Sequence, residues 1–329
     1  MKPVAHKKEK SFNSGLSNVV KWLVSVFALI YIVYDVYNRV QGNDIIQLYL
    51  NLFRSSSAFY LILLFLALCF ANWSLEVIKW RRMMQKIEPL SFLKAFRAVF
   101  TGLTVSFFTP NRVGEYAGRV LFLSRGDKIK GILITILSSF SQLMITIVLG
   151  LSALIFYMRN MFNQEQILMY YIFVSITATV IILLLLLYFN IHVLDWLCRK
   201  WKLSKKWTRY TKVFYYYNSK ELLKVLGLSL LRYMVFSMQY YIFLQIFNVD
   251  IPLLSFFQMI ALTYLTIAIV PTFALTEIGV RGSTALYFIG SLTTNSIGVL
   301  VSSLTVWIIN IAFPSAVGAI CVLYLKIRK

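Results

Sequence analysis

The sequence contains few charged residues, and acidic residues are especially scarce. Of its 329 residues, only 14% are charged and 59% are hydrophobic, whereas a soluble domain is typically about 25% charged and about 45–50% apolar. A chain with this composition lacks the polar surface that would face water on all sides. The composition therefore argues against a soluble enzyme, a disordered tail and a nucleic-acid-binding domain, and it predicts an integral membrane protein.

Cysteine, histidine and the common catalytic motifs are also scarce. The three cysteines are far apart in the sequence, and His6 and His192 are the only histidines. We therefore expect neither a disulfide framework nor a metal site. The sequence has no Gly-x-x-x-x-Gly-Lys-Ser/Thr phosphate loop and no serine hydrolase elbow. These absences predict a protein without a cofactor and without catalytic residues, and they favour a transporter over an enzyme.

Long apolar stretches dominate what is present. A helix that crosses the hydrocarbon core needs about 20 apolar residues, and six stretches meet this requirement, at 19–38, 57–78, 131–158, 167–189, 222–247 and 297–325. Two further apolar regions, 92–124 and 253–291, are interrupted near the middle by proline, glycine and charged residues. We predict an all-α polytopic membrane protein with about six long spans and two broken or re-entrant helical hairpins.

The positive charges predict the topology. The chain has 33 Lys and Arg against 12 Asp and Glu, a net charge of +21, and 26 of the 33 lie in five clusters, at 1–21, 79–97, 125–130, 199–224 and 326–329. Cytoplasmic loops collect Lys and Arg, so all five clusters are predicted to be cytoplasmic. This arrangement requires each broken region to return to the side from which it entered, and the two regions to enter from opposite faces. That pattern is typical of an inverted-topology repeat. A pair of ordinary spans in each region has the same parity and remains an alternative.

We interpret residues 1–329 as a single transmembrane domain with four parts, a cytoplasmic basic tail at 1–18, a first half at 19–189, a cytoplasmic amphipathic linker at 190–221 and a second half at 222–329. The linker mixes tryptophan with Lys and Arg, a composition typical of helices in the headgroup layer. It either gathers anionic lipid or only sets the topology. The predicted location is the inner membrane, with both termini cytoplasmic.

The first interruption combines a proline, two glycines and three charged residues. Pro110 disfavours helix before it and can start a new one, while Gly114 and Gly118 would let another helix approach closely. Three charged residues spaced three and four apart are expected to share one helical face: Arg112, Glu115 and Arg119. Two cations and one anion there suit an anionic ligand, since Arg can bind a phosphate through two hydrogen bonds. A purely structural ion-pair cluster is the alternative.

The second interruption repeats these ingredients. Pro271 provides the break, Gly279 and Gly282 provide small residues, and Glu277 and Arg281 are four residues apart, so they could pair on one helical face. A simple local salt bridge is the alternative to a functional site.

Ionisable residues also lie in apolar stretches outside the two interruptions. Arg232, within the span at 222–247, either faces a cavity or extends to the cytoplasmic surface. Glu76 is expected at the membrane interface beside Lys79 and Trp80, as an i,i+3 pair with the lysine.

The first motif, Pro110-x-Arg112-x-Gly114-Glu115, resembles the signature of the lysylphosphatidylglycerol synthase transmembrane family, whose members are also called flippase-like domain proteins. The order of spans and the later segment Gly279-Val280-Arg281 are similar too, so the resemblance covers essentially the whole chain. In many relatives a glutamate follows the arginine of the second motif, whereas here Gly282 follows it and Glu277 precedes it.

This resemblance implies movement of an anionic phospholipid or a polyprenyl-phosphate-linked lipid between leaflets. We expect the three arginines of the interruptions to bind the phosphate, and Glu115 and Glu277 to orient them or to carry protons. Bifunctional relatives have an aminoacyltransferase domain after the membrane part, whereas this sequence ends at Lys329, so we expect no lipid aminoacylation. The predicted partners are the membrane and anionic headgroups, with a second copy of the chain or a separate lipid-modifying enzyme as further candidates. The alternative functions are a membrane-embedded transferase acting on a lipid phosphate and a non-catalytic membrane partner.

Overall fold

The computed structural model describes residues 56–123, 127–159, 161–200, 210–272 and 274–327. The predicted tail at 1–18 and the predicted first span at 19–38 lie outside these residues. The described part of the chain is built from α-helices, namely α1 (Ser56–Met84), α2 (Phe92–Phe107), α3 (Gly114–Val120), α4 (Lys128–Arg159), α5 (Ile167–Phe189), α6 (Val193–Lys200), α7 (Ser219–Ile246), α8 (Leu253–Ile269), α9 (Ala274–Phe288), α10 (Ser296–Trp307) and α11 (Phe313–Ile327). The prediction of an all-α polytopic membrane protein is confirmed.

Helices occupy each predicted long span that falls within the described residues. Within this described part, four helical segments are long and apolar enough to cross a membrane: Phe59–Met84, Lys128–Arg159, Gln164–Phe189 and Ser296–Val322. The last of these is one helical rod in which the π-helical turn Ile308–Ala312 joins α10 to α11. The remaining predicted span corresponds to α7, whose 28 residues would extend roughly 42 Å at 1.5 Å per residue.

Each of the two interrupted regions forms two helices that are shorter than the long spans. The first contains the 16 residues of α2 and the 7 residues of α3, and the second contains the 17 residues of α8 and the 15 residues of α9. A full span needs about 20 residues. These helix lengths are compatible with two broken hairpins.

The long helices and hairpins pack in an exchanged arrangement, in which the hairpin of each half contacts a long helical segment of the other half. Within the described residues, each half contains a long helix, a broken hairpin and a second long segment in that order, and the first half also contains α5. α1 packs on α7, α2 packs on α11, and α8 packs on α4. A glycine allows each hairpin contact: a Cβ at Gly318 would overlap the carbonyl oxygen of Phe100, and a Cβ at Gly150 would lie 2.6 Å from Cβ of Leu265. Such an exchange of partners is expected for two halves related by an approximate two-fold axis.

Two buried apolar clusters flank the centre of the protein. One gathers residues of α1, α2 and α4 around Trp80, and the other gathers residues of α7, α8 and α10 around Phe256. Lipid tails are as apolar as these side chains, so packing and polar contacts between helices hold a membrane bundle together rather than the hydrophobic effect. One such contact joins the hydroxyl of Thr104, which donates at 2.6 Å, to the carbonyl oxygen of Ser315.

The linker between the halves is attached to α1 at its described end. The hydroxyl of Tyr217 donates at 2.8 Å to the carbonyl oxygen of Met83, and Lys86 forms a 2.6 Å ion pair with Glu221. Asn218 and Glu221 form a capping box that starts α7. Residues 201–209, which carry two of the three linker tryptophans, lie outside the described residues.

Candidate functional site

Two residues with a left-handed backbone shape the first break. α2 ends at Phe107, a single 3₁₀ turn runs from Pro110 to Arg112, and α3 begins at Gly114. Asn111 has φ 51° and Arg112 has φ 57°, values that are uncommon and unfavourable for residues other than glycine. The prediction that Arg112 shares a helical face with Glu115 and Arg119 is therefore wrong, because the left-handed pair interrupts the helical repeat before α3 starts.

The left-handed turn directs Arg112 across to the second hairpin. Its Nη2 atom donates to both carboxylate oxygens of Glu277, at 2.8 and 2.7 Å. Beside this pair, the backbone N–H of Asn111 donates at 3.0 Å to the carbonyl oxygen of Thr272, which lies directly after Pro271. The two breaks, which are far apart in the sequence, therefore contact each other.

Glu277 also binds the arginine of its own helix. Arg281 approaches one carboxylate oxygen through Nε at 2.8 Å and through Nη2 at 2.7 Å, which confirms the predicted i,i+4 pair. The side chain of Glu277 is 5% exposed, whereas that of Arg112 is 38% exposed. One buried carboxylate thus neutralises part of the charge of two arginines that come from different hairpins.

A second cluster of charges lies where α3 meets α1. Arg119 pairs with Glu115 on its own helix and, at 2.8 Å, with Glu76 on α1. Glu76 also pairs with Lys79 at 2.9 Å and with Arg232 at 3.3 Å. The predicted i,i+3 pair is confirmed, and the surrounding helices bury both residues: Glu76 is 3% exposed and Lys79 is 1% exposed.

Arg232 belongs to the same cluster and lines the cavity described below. Its guanidinium lies 5.7 Å from the ring centroid of Trp73, and Nη1 lies 3.4 Å from the side-chain oxygen of Gln142. Together with the pair to Glu76, these contacts support the predicted orientation of Arg232 towards a cavity.

The glycines of the two interruptions differ in how closely they are packed. A Cβ at Gly118 would lie 2.7 Å from Cα of Gly102 on α2, and one at Gly114 would lie 2.7 Å from the hydroxyl of Thr109. Close approach is therefore achieved as predicted in the first hairpin. In the second hairpin, Gly279 is buried, and a Cβ at Gly282 would lie 3.0 Å from a methyl group of Leu300.

These charged clusters line one cavity of about 650 Å³ between the two hairpins. Its wall contains five cationic and three anionic side chains, an excess of two positive charges: Lys79, Arg112, Arg119, Arg232 and Arg281 against Glu76, Glu115 and Glu277. All six charged residues proposed from the sequence line this cavity. Those that the sequence analysis did not assign to the site are Glu76 and Lys79, together with uncharged residues such as Trp73 and Gln142.

The cavity wall can accept an anion. Nε and Nη1 of Arg119 and Nε of Arg232 are buried and have no hydrogen-bond partner among the described residues. Leaving a buried charged donor unpaired is costly, so an incoming phosphate or carboxylate would find donors ready. In the described part of the chain, no group of three or more His, Cys, Asp or Glu is placed to hold a metal ion.

Comparison with known proteins identifies the family. The family model described as the lysylphosphatidylglycerol synthase TM region matches residues 18–318. Comparison with curated proteins and with solved structures found no match. The matched region includes both broken hairpins and every charged residue of the cavity. The chain therefore belongs to the lysylphosphatidylglycerol synthase transmembrane family.

Proposed function

We propose that this protein moves an anionic lipid headgroup between the two leaflets of the membrane. The observation that carries the proposal is the cavity of about 650 Å³ with an excess of two positive charges, placed where the two broken hairpins meet. Ionisable residues in membrane-embedded regions are expensive and mark the paths of substrates and ions. The headgroup would pass through this cavity while its acyl or prenyl tails stay in the lipid.

The charged residues of the cavity would have different roles in binding the headgroup. Arg112, Arg232 and Arg281 are partly exposed to the cavity and would bind the phosphate, since arginine can offer two parallel hydrogen bonds to it. Glu277 would orient two of these arginines. The buried Arg119 would hold α3 against α1. Its unpaired Nε and Nη1 atoms would donate to the headgroup.

The membrane topology is part of the proposal. We place both termini and the basic segments 79–97, 125–130 and 199–224 on the cytoplasmic side of the inner membrane, because Lys and Arg concentrate in cytoplasmic loops. The two hairpins then enter from opposite faces, and the exchanged packing of α2 on α11 and α8 on α4 supports this inverted arrangement. Alternating access would follow from movement of one half against the other.

The ion pairs make a transferase the weaker candidate. A general base must be available to take a proton from the reacting group, and Glu115 is instead paired with Arg119. The other two carboxylates of the cavity wall are each bound by at least two cations. We therefore retain lipid translocation as the proposed function.

A leaflet-exchange assay tests the proposal. Purified protein is reconstituted into liposomes that contain a fluorescent anionic phospholipid, and the fraction accessible to a membrane-impermeant quencher is followed over time. We expect exchange with the wild-type protein and its loss in Arg112→Ala and Glu115→Ala, because each change disrupts the charge arrangement of the cavity.

Arg159→Ala is the matched control. Arg159 lies at the end of α4, 5.4 Å from the ring centroid of Tyr170, and it does not line the cavity. This variant should exchange lipid at the wild-type rate. Folding of all variants is checked by gel filtration and thermal unfolding. Wild-type exchange in both Arg112→Ala and Glu115→Ala, or no exchange with the folded wild-type protein, would refute the proposal.

A further inference from the structure

A smaller chamber continues the cavity and differs from it in charge. It has a volume of about 220 Å³ and shares Arg112, Arg232 and Arg281 with the larger cavity. None of the described residues that line this chamber is an Asp or a Glu. Its other lining residues include the aromatic Trp73, Tyr233 and Tyr264 and the amides of Asn72, Asn310 and Gln142. We call this space the arginine chamber.

The walls of the arginine chamber contain buried hydrogen-bond donors that have no partner among the described residues. Nε of Arg232, the hydroxyls of Tyr233 and Tyr264, and Nε1 of Trp73 are buried without a hydrogen-bond partner. The two tyrosines are 5% and 9% exposed and pack edge to face, with ring centroids 5.5 Å apart. Buried donors are nearly always paired in folded proteins, so this wall is suited to a ligand rich in acceptor oxygens.

All three carboxylates of the larger cavity form ion pairs, so the cavity favours an anionic ligand over a cationic one. Glu76, Glu115 and Glu277 each form at least one ion pair with a Lys or Arg of the wall. A cationic headgroup would find no free carboxylate there and would meet the excess positive charge. A phosphodiester brings one negative charge, whereas a phosphomonoester brings about −1.5 to −2 at pH 7 and matches the excess of two positive charges.

We infer that the arginine chamber binds the terminal phosphate of a lipid phosphomonoester, so that the preferred headgroup carries two negative charges and no aminoacyl cation. The inference rests on the proposed function, since the chamber opens into the proposed headgroup path. Arg232 and Arg281 bind the phosphate oxygens, and the hydroxyls of Tyr233 and Tyr264 donate to the same group.

A binding experiment on the full chain tests this inference. The protein, purified in detergent, is titrated with dioctanoyl phosphatidic acid, dioctanoyl phosphatidylglycerol or inorganic phosphate, and the shift in thermal unfolding temperature is measured. The two lipids have the same tails and differ in whether the phosphate is a monoester or a diester. We expect phosphatidic acid to bind about tenfold more tightly than phosphatidylglycerol, the effect of one additional charge-assisted hydrogen bond.

Substitutions then locate the phosphate. Arg232→Gln should weaken phosphatidic acid binding by about tenfold, and Tyr233→Phe by about fivefold, as expected for a charged and a neutral hydrogen bond. Arg232→Gln leaves Glu76 paired with Lys79 and Arg119, and Tyr233→Phe removes only a hydroxyl. The matched control is Tyr240→Phe, because the hydroxyl of Tyr240 is also buried and unpaired but lies outside both cavities. The control should bind phosphatidic acid like the wild type.

The outcomes separate this inference from the proposed function. Equal or tighter binding of phosphatidylglycerol, or unchanged binding in both Arg232→Gln and Tyr233→Phe, overturns the inference even when leaflet exchange continues. Inorganic phosphate that stabilises the protein as strongly as phosphatidic acid shows a site for the free anion and also overturns it. Tight binding of phosphatidic acid without leaflet exchange of any lipid instead supports the chamber and refutes translocation.

Discussion

Each broken hairpin has a Glu–Arg ion pair on the helix that follows its proline, but the two pairs differ in exposure and in the helices that they contact. On the second helix of each hairpin, a glutamate and an arginine four residues apart are paired: Glu115 with Arg119, and Glu277 with Arg281. In the first hairpin the arginine is 3% exposed and also binds α1 of its own half. In the second hairpin the arginine is 16% exposed, and the glutamate binds Arg112 of the other half.

This difference shows how one repeated motif can serve two purposes. The pair on α3 contacts α1 of its own half through Arg119 and holds a helix of only seven residues in place. The pair on α9 faces the other hairpin and links the two halves. If the halves move against each other during transport, the first pair should stay intact while the contact between Arg112 and Glu277 breaks and re-forms.

The largest expected effect comes from removing the two arginines of the repeated motif. Arg119→Ala should lower the free energy of unfolding by about 3–5 kcal/mol, because breaking a buried pair leaves uncompensated charge. Arg281→Ala should cost less, about 1 kcal/mol, since Glu277 keeps both hydrogen bonds from Arg112. Unfolding of the purified variants in mixed detergent micelles measures both values.

Arg159→Ala again serves as the control and should unfold like the wild type. Equal losses in Arg119→Ala and Arg281→Ala would contradict the division into an anchoring pair and a linking pair.

A smaller effect is expected from the glycines that follow the two breaks. A Cβ at position 118 would meet the backbone of α2 at 2.7 Å, whereas a Cβ at position 282 would meet only the end of the Leu300 side chain, at 3.0 Å. Gly118→Ala should therefore destabilise the protein by about 1–3 kcal/mol, the usual cost of overpacking. Gly282→Ala should be neutral or slightly stabilising, because alanine is the better helix former. Thermal unfolding of the two variants checks the difference, and a stable Gly118→Ala protein would contradict it.

The helices and the local pairs of this protein are predictable from its sequence. Apolar stretches of about 20 residues predict spans because the bilayer sets their length, and the spacing of Glu277 and Arg281 predicts their contact because a helix brings residues four apart together. Pro110 and Pro271 likewise mark the two breaks, since proline cannot continue a helix without loss.

The centre of the site is less predictable, for two physical reasons. The link between Arg112 and Glu277 joins residues of different halves, and it depends on the left-handed backbone at Asn111 and Arg112, which interrupts the helical repeat. The burial of Glu76 depends on how α1 packs against α3 and α7, which no local pattern reveals. The available signal is the presence of Glu76 within an otherwise apolar stretch, since ionisable residues in such stretches are often functional.

The smallest expected effect concerns a partly exposed ion pair. Lys86, beyond the end of α1, pairs with Glu221 at the start of α7, and the side chains are 39% and 32% exposed. The hydrogen bond from Lys86 holds the pKa of Glu221 below its ordinary value of 4.5. This pair therefore stabilises the folded protein above that value, and the contribution is lost as the pH falls through the lower pKa of the folded state.

Glu221→Gln should reduce stability at pH 7 by only about 0.2–1 kcal/mol, as for other exposed ion pairs, while glutamine can still complete the capping box. The difference between wild type and variant should shrink at an acidic pH below the lowered pKa of Glu221 and in about 1 M salt, where screening acts over about 3 Å. The loss caused by Glu277→Gln should persist in the same salt, because the carboxylate of Glu277 is buried. Chemical unfolding at both pH values and both salt concentrations measures these differences. Equal sensitivity of the two pairs to salt would mean that water reaches the contact between the hairpins as freely as it reaches the linker.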